Sequence, residues 1–311
     1  MKKYLYVFNY SPEDQELCAL EFEALFNDRY SGKIYLSNLD YSVNQSVFMK
    51  AKVDLWGESE DFKQLIHKIT KLKKSYVDFK VIYLKNEQTH VDYQETLDKC
   101  RDISWGIGGS VNMNKPKHII AITKLDHKWY CGYYHHGIPD WKKHDNKPYT
   151  FSNSLDIRLA RTLVNLAAKG DKSVSIVDPC CGVGTVVLEG LALKLKIVGF
   201  DISRDTSWHA RKNLEFYGYD GHLINKKSIH DLVDHYDVAI IDLPYNLYTP
   251  ITYEEQVAII TSSRKICQQL VLVTYETMDE ELKNSGYQID RKVFRRKSEK
   301  SKFGRYIYLC H

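Results

Sequence analysis

A chain of 311 residues is long enough for about two domains, each burying its own core. With 43% hydrophobic and 27% charged residues it has the composition of an ordinary globular protein. No apolar run approaches the roughly 20 residues that span a bilayer, and the apolar stretch in MKKYLYVFNYSPED is too short for a signal peptide, so the expected address is the cytosol. The net charge of +4 is unevenly spread: residues 291–305, RKVFRRKSEKSKFGR, carry eight Lys/Arg against one Glu, leaving the remainder net negative. Such a concentrated basic segment is an electrostatic footprint for a polyanion, and Arg295, Arg296, Lys297, Lys300 and Lys302 are the expected contacts. The seven cysteines include no CxxC pair and no zinc-finger spacing, which suits free thiols in a reducing compartment. His135-His136 and His230 with His235 lack the spacing of a helical metal pair, so no metal is expected.

In chain order, KKYLYVFNY reads as a strand, QELCALEFEALF as a helix and VFMKAKVDLW as a strand. DFKQLIHKITKL is then helical, YVDFKVIYL a strand, YQETLDKCRDISWGI a helix, and HIIAITKL with KWYCGYYHH a hairpin. This irregular mixture suits one or two small α+β modules. The stretch GIPDWKKHDNKPYTF, with Pro139 and Pro148 among polar residues, is the clearest seam.

Beyond it the pattern becomes regular. SLDIRLARTLVNLAAKG places Leu155, Leu159, Leu163 and Leu166 on one helical face. SVSIVD, KIVGFD, VAIID and QLVLVTY are near-continuous apolar runs, the habit of parallel strands buried on both faces. TVVLEGLALK, SWHARKNLEFYG and EEQVAIITSSRKICQQ lie between them as helices, giving a doubly wound α/β sheet. YQIDRKVFRRKS and GRYIYLCH append two antiparallel strands at one edge.

SIVDPCCGVGTVVLEG puts Asp178 at a strand end, then Gly182 and Gly184, then a helix. In doubly wound sheets, ligands bind at the carboxyl ends of strands, and glycines there let backbone approach them. The dinucleotide fingerprint would need glycine where Val187 stands, so a pyrophosphate site is disfavoured. An acidic residue in the loop repels phosphate and can hold an ammonium group, while Asp201 ends the next strand where it can accept hydrogen bonds from a ribose diol. A cationic ligand with a free amino-acid end and an intact ribose is S-adenosylmethionine.

IIDLPYNLYTP ends a third strand at the same edge. Pro244 stops ladder pairing, having no N–H. Asp242 with a neighbouring backbone carbonyl can accept both hydrogens of an exocyclic amine, and Tyr245 can stack on the base that carries it. Methyl transfer to such an amine needs orientation more than a strong general base.

IVDPCCGVGT, GFDIS and IIDLPY, following KPYTFSNSLDIRLARTLVNLA, resemble the THUMP-containing tRNA (guanine-N2)-methyltransferases, in particular those acting on guanine 10 of tRNA. The resemblance is strongest over residues 148–250. It implies a Rossmann-like methyltransferase domain over 151–311, an N-terminal α+β module over 1–60, a THUMP-like RNA-binding domain over 61–136 that grips the acceptor end of tRNA, and a linker over 137–150. It also implies that Asp178, Pro179, Gly182, Gly184, Thr185, Asp201, Ile202, Ser228 and Ile229 line the S-adenosylmethionine site, and that Asp242, Leu243, Pro244 and Tyr245 form the target-base site. The chain departs from the family pattern at Leu243, where proline is usual, at Asn246, where glycine is usual, at Cys180-Cys181, and at Ser228, where an acidic residue usually meets the adenine; Asp231 lies about one helical turn beyond. Some relatives use a small activator subunit, and neither this nor a homo-oligomer can be read from the residues.

Two alternatives stay open at this point: an adenine N6-methyltransferase on nucleic acid, and a non-catalytic RNA-binding protein that retains only the methyltransferase fold.

Overall fold

The computed structural model describes residues 2–30, 32–87, 89–151, 154–245, 251–296, 301 and 303–311. In chain order the elements are β1 (Tyr4–Phe8), α1 (Gln15–Phe26), β2 (Ile34–Ser37), β3 (Met49–Ser59), α2 (Phe62–Lys71), β4 (Ser75–Tyr83), α3 (Tyr93–Trp105), β5 (Gly108–Val111), β6 (His118–Leu125) and β7 (Lys128–His136). They continue with α4 (Ile157–Ala168), β8 (Ser175–Asp178), α5 (Thr185–Ala192), β9 (Lys196–Asp201), α6 (Arg204–Phe216), β10 (Ile224–Lys226), β11 (Tyr236–Asp242), α7 (Tyr253–Ile266), β12 (Cys267–Thr274), α8 (Asp279–Asn284), β13 (Ile289–Arg296) and β14 (Gly304–Cys310).

The chain divides into two compact units, residues Met1–Asn9 with Ser31–Ile138, and Tyr10–Tyr30 with Pro139–His311. The first holds a seven-stranded sheet ordered β2-β1-β3-β7-β6-β4-β5. Its strands run antiparallel except where β4 pairs in parallel with β5 and β6. Phe62, Leu65 and Ile69 on α2 and Ile103 on α3 bury themselves with Phe79, Val81, Ile120, Ile122, Trp129 and Cys131 of the sheet. The spacing of those three α2 residues, i, i+3, i+7, is the apolar stripe that the sequence pattern requires of a helix lying on a sheet.

This sheet runs through the boundary expected at residue 60: β1 and β3 lie on one side of it in sequence, β4 to β7 on the other, and β3 pairs directly with β7. The helix α1, expected to fold with the N-terminal module, instead belongs to the second unit. Its side chains Leu17, Cys18, Phe22, Leu25 and Phe26 are buried, and Glu21 accepts a 2.6 Å hydrogen bond from Asn165 of α4. Residues 140–146 likewise form a 3-10 turn with Trp141 and His144 buried in the second unit, where a linker was expected.

The second unit's seven-stranded sheet is ordered β10-β9-β8-β11-β12-β14-β13. The first five strands are parallel, while β14 is antiparallel to both β12 and β13. It is the doubly wound sheet with an edge hairpin that the apolar runs predict. Order reverses between β8 and β11, from each of which the following strand departs in the opposite direction, so a crevice opens at their carboxyl ends.

The helix α4 begins at Ile157 because Asp156 caps it, its carboxylate accepting from the Leu159 N–H at 2.8 Å; Leu155 therefore precedes the helix. Eleven of its twelve residues are buried, which the four leucines alone understate. The helix α7 ends at Ile266, earlier than its sequence pattern suggests, because Cys267 already pairs with Tyr236 in the sheet. Among the described residues no helix is long and apolar enough to cross a membrane.

Candidate active site at the carboxyl edge of the second sheet

Asp178, Asp201 and Asp242 are the last residues of β8, β9 and β11, so parallel strands deliver three carboxylates to one edge. They line a cleft of about 250 Å3 together with Cys180, Cys181, Gly182, Thr185, Ile202, Leu243, Pro244 and Tyr245. An adjoining cleft of about 300 Å3 is lined by Pro179, Ser228, Ile229 and His230, and shares Cys180, Asp201, Ile202 and Pro244 with the first. The structure thus brings together the thirteen residues expected for cofactor and base, except Gly184, which does not line either cleft but ends the loop that does. Asp231 is exposed and lines neither cleft, whereas Ser228 lines the second.

The loop between β8 and α5 has its shape for local reasons. Gly182 and Gly184 sit at φ +52° and +81°, the left-handed region that costs glycine nothing. A Cβ on Gly182 would meet no protein atom within 4 Å, so that face of the loop is open; one on Gly184 would press on Ala210 at 3.2 Å. The first glycine leaves room for a ligand and the second lets α6 pack close. Asp201 braces the loop, its carboxylate accepting from the N–H groups of Gly182 at 3.0 Å and Ser203 at 2.9 Å. Thr185 opens α5 with its Oγ1 buried and without a hydrogen-bond partner among the described residues.

The electrostatics match a cation's site. Burial pushes the carboxyl of Asp178 well above the usual carboxylate range; the Cys180 N–H opposes this, and Asp242 and Asp201 add repulsion. Asp201 is raised by burial too, its two backbone N–H donors working against it. Asp242 is pushed up to about 6 by burial, with the Arg305 guanidinium pulling it back. Three neighbouring carboxyls that resist ionisation would be relieved by a bound ammonium or sulfonium.

Around Asp242 the strand end has a defined geometry. The Leu243 N–H continues the ladder for one more bond, to the Val273 carbonyl at 2.9 Å, and its side chain is buried in the core. Proline at that position could not donate that hydrogen bond. Pro244 follows, its carbonyl held by the Gln256 side-chain amide at 2.6 Å. Tyr245 then packs on Tyr275 with ring centroids 4.1 Å apart and accepts the Tyr275 hydroxyl at 3.0 Å. Asp242 Oδ1 is buried with no hydrogen-bond partner among the described residues, and Oδ2 stands 4.0 Å from Arg305 Nη2. A buried carboxylate oxygen so poorly satisfied calls for an explanation, and an incoming donor supplies one.

The basic segment divides. Arg295 is committed within the unit, to Asp14 at 2.7 Å and Asp156 at 2.7 Å, with its side chain 18% exposed, so it is bound up in the fold where a polyanion contact was expected. Arg291 and Lys292 pair with Glu23 and Asp279. Arg296 is exposed; Lys297, Lys300 and Lys302 lie outside the described residues, as does Asn246. Sequence reasoning missed Arg305, Tyr275 and Gln256 at the site. Each is delivered by register and helix packing, and only the basic count around Arg305 gave any signal.

Residues 144–250 match the family model described as "UPF0020: RMKL-like, methyltransferase domain". The chain is 26% identical over 184 residues to the tRNA (guanine(10)-N2)-dimethyltransferase of Pyrococcus abyssi, covering 55% of this chain and 53% of that one. It is 30% identical over 105 residues to the enzyme of the same name from Methanothermobacter thermautotrophicus, covering 32% of this chain and 30% of that one. It therefore spans about half or less of the length of these two relatives. Among solved structures, TrmN from Thermus thermophilus aligns over 99% of both chains at 12% identity with a TM-score of 0.50, which is a likeness of fold. The second unit thus has a Rossmann-like fold, residues 144–250 match a methyltransferase-domain model, and the chain is similar over part of its length to tRNA guanine-N2 dimethyltransferases.

Proposed function

We propose that this chain transfers a methyl group from S-adenosylmethionine to the exocyclic N2 amine of a guanine in tRNA, guanine 10. The observation that carries the reading is Asp242: a half-buried carboxylate with one buried oxygen that has no partner among the described residues, at the end of β11, beside a cleft of carboxylates and an open glycine loop. The names of the curated relatives support guanine and tRNA as base and substrate.

The donor set fits the cofactor. Asp178, Pro179, Gly182 and Thr185 would hold its amino-acid end, with Gly184 shaping the loop that carries them and the buried Thr185 Oγ1 still able to donate or accept. Asp201 and Ile202 would hold the ribose, and Ser228 and Ile229 the adenine. When bound, S-adenosylmethionine supplies an electrophilic methyl group on a sulfonium.

Asp242 accepts one hydrogen of the guanine amine, and the backbone carbonyl of Leu243 is the acceptor proposed for the other. Together they would aim the nitrogen lone pair; as the N–C bond forms, the methyl–sulfur bond would break with its electron pair going to a neutral thioether, and the surplus proton would leave nitrogen for the carboxylate or for water. An ionised acceptor is worth about 1.5–3 kcal/mol here. Stacking on Tyr245 adds about 1–3 kcal/mol and offsets the few kcal/mol of unstacking the base from RNA.

Residues 61–136, within the first unit, would serve as a THUMP-like grip on the acceptor end of tRNA, with Arg296, Lys297, Lys300 and Lys302 as further phosphate contacts. The reaction would take place in the cytoplasm.

The test is incubation of the purified chain with methyl-labelled S-adenosylmethionine and bulk tRNA, followed by nucleoside analysis. Label in N2-methylguanosine is the expected result. Label in N6-methyladenosine would establish the adenine alternative, and binding of tRNA with no label would establish a non-catalytic binder.

A further inference from the structure

We infer that Arg305, carried to the site by the antiparallel strand β14, is a positioning residue that keeps Asp242 in its amine-accepting state and fixes Tyr245 through Tyr275. This rests on the methyl-transfer reading of Asp242.

The placement follows from register. β11 and β12 are parallel with Asp242 opposite Val273, and β12 and β14 are antiparallel with Val273 opposite Ile307 and Thr274 opposite Tyr306. Arg305, one residue before Tyr306, therefore falls level with Tyr275, one residue after Thr274. Its guanidinium lies 5.1 Å from the centre of the Tyr275 ring, and its Nη2 lies 4.0 Å from Asp242 Oδ2. Tyr275 in turn donates its hydroxyl to Tyr245. One cation thus touches both halves of the proposed base site, the acceptor and the stacking platform. Arg305 is itself only 14% exposed, and a chain does not bury a guanidinium beside a carboxylate without cost.

Asp242 needs such a neighbour. The titratable groups around it are Asp178 on β8, the Cys180 thiol, the phenols Tyr245 and Tyr275, and Arg305 on β14, with Asp201 on β9 lining the same cleft. Burial pushes Asp242 toward the protonated form, which donates where the reaction needs an acceptor; Arg305 pushes back. The Tyr275 hydroxyl, itself pushed up to about 12 by burial and its bond to Tyr245, stays protonated and so keeps donating. A hairpin that extends a parallel sheet thereby has a chemical use: its antiparallel strand alone points Arg305 at the carboxyl edge.

The experiment uses the full chain with Arg305→Met and Arg305→Lys. The first readout is the titration midpoint of the Asp242 carboxyl, followed by carbon-13 NMR without cofactor and assigned by its loss in Asp242→Asn. An opposite charge at this distance is worth about one pH unit or more, so the midpoint should rise by that amount in Arg305→Met and by less in Arg305→Lys. The second readout is methyl transfer: the acidic limb of the kcat profile should move up by the same interval, giving about a tenfold loss below the midpoint and recovery at higher pH, with the S-adenosylmethionine KM unchanged. If Arg305→Met melts early, Arg305→Lys carries both readouts. An unmoved midpoint and an unmoved limb, in a wild type that transfers methyl groups, would overturn the role given to Arg305. A wild type that transfers nothing would overturn the methyl-transfer reading and with it the catalytic meaning of Arg305, even where the midpoint moves.

Discussion

Two carboxylates in the second unit, one wholly buried and one half-buried with a buried oxygen, show how differently the same group can be used. Glu189 on α5 is wholly buried, and both its oxygens are engaged, one by His144 at 2.5 Å and one by Arg161 at 2.5 Å. Asp242 is also set in the protein, yet its Oδ1 accepts nothing among the described residues and its nearest cation stands at 4.0 Å. The first arrangement ties the 3-10 turn at 140–146 and α4 to α5, at whose N-terminus the glycine loop ends. The second leaves bonding capacity in hand. A carboxylate completed by its own chain is a tie, and one left incomplete beside a cleft is a receptor.

Substitutions at the two positions should separate these roles. Glu189→Ala leaves a buried Arg161 and His144 without their partner, and should cost about 3–5 kcal/mol in denaturant unfolding. Asp242→Ala should instead lower kcat by about a hundredfold or more while S-adenosylmethionine affinity in calorimetry is nearly unchanged. Loss of both affinity and turnover together would mean that Asp242 serves the cofactor and not the amine.

Asp242→Asn sharpens the contrast through stability. The folded value of about 6 lies above the unfolded value near 3.9, so ionised Asp242 destabilises the fold, and this cost grows as pH rises from about 4 through about 6 and then stays constant. The variant should therefore gain about 1–2 kcal/mol over the wild type at pH 8 and less at pH 5, as read from paired thermal melts. A destabilised variant at pH 8 would place Asp242 with Glu189 as a structural tie. The smallest effect is expected for Tyr245→Phe, which loses the Tyr275 hydrogen bond, worth about 0.5–1.5 kcal/mol, but keeps the ring for stacking. Its kcat should fall by no more than about tenfold; a collapse of transfer would assign the hydroxyl a direct part in the chemistry.

Most of this site could be read without coordinates, because strand ends are local features. Asp178, Asp201 and Asp242 each close a short apolar run, and parallel strands must bring such ends to one edge. What escaped was set by distant packing. The pairing of β14 with β12 places Arg305 beside Asp242, and no local pattern in FGRYIYL fixes that register. The same holds for α1, whose apolar residues say that it packs but not that its partner is α4, more than a hundred residues away. Short strands such as β2, β5 and β10 went unread for the opposite reason: three or four residues are too few to show a period. The leucine at 243, conspicuous against the family motif, became intelligible once its N–H and side chain were seen at work in the sheet.

The most direct test of the central claim is nucleoside mass spectrometry of tRNA from cells with and without this protein. Loss of N2-methylguanosine at position 10, restored by the wild-type chain and not by Asp242→Ala, is the predicted result. An unchanged level of that nucleoside in cells lacking the protein would contradict it.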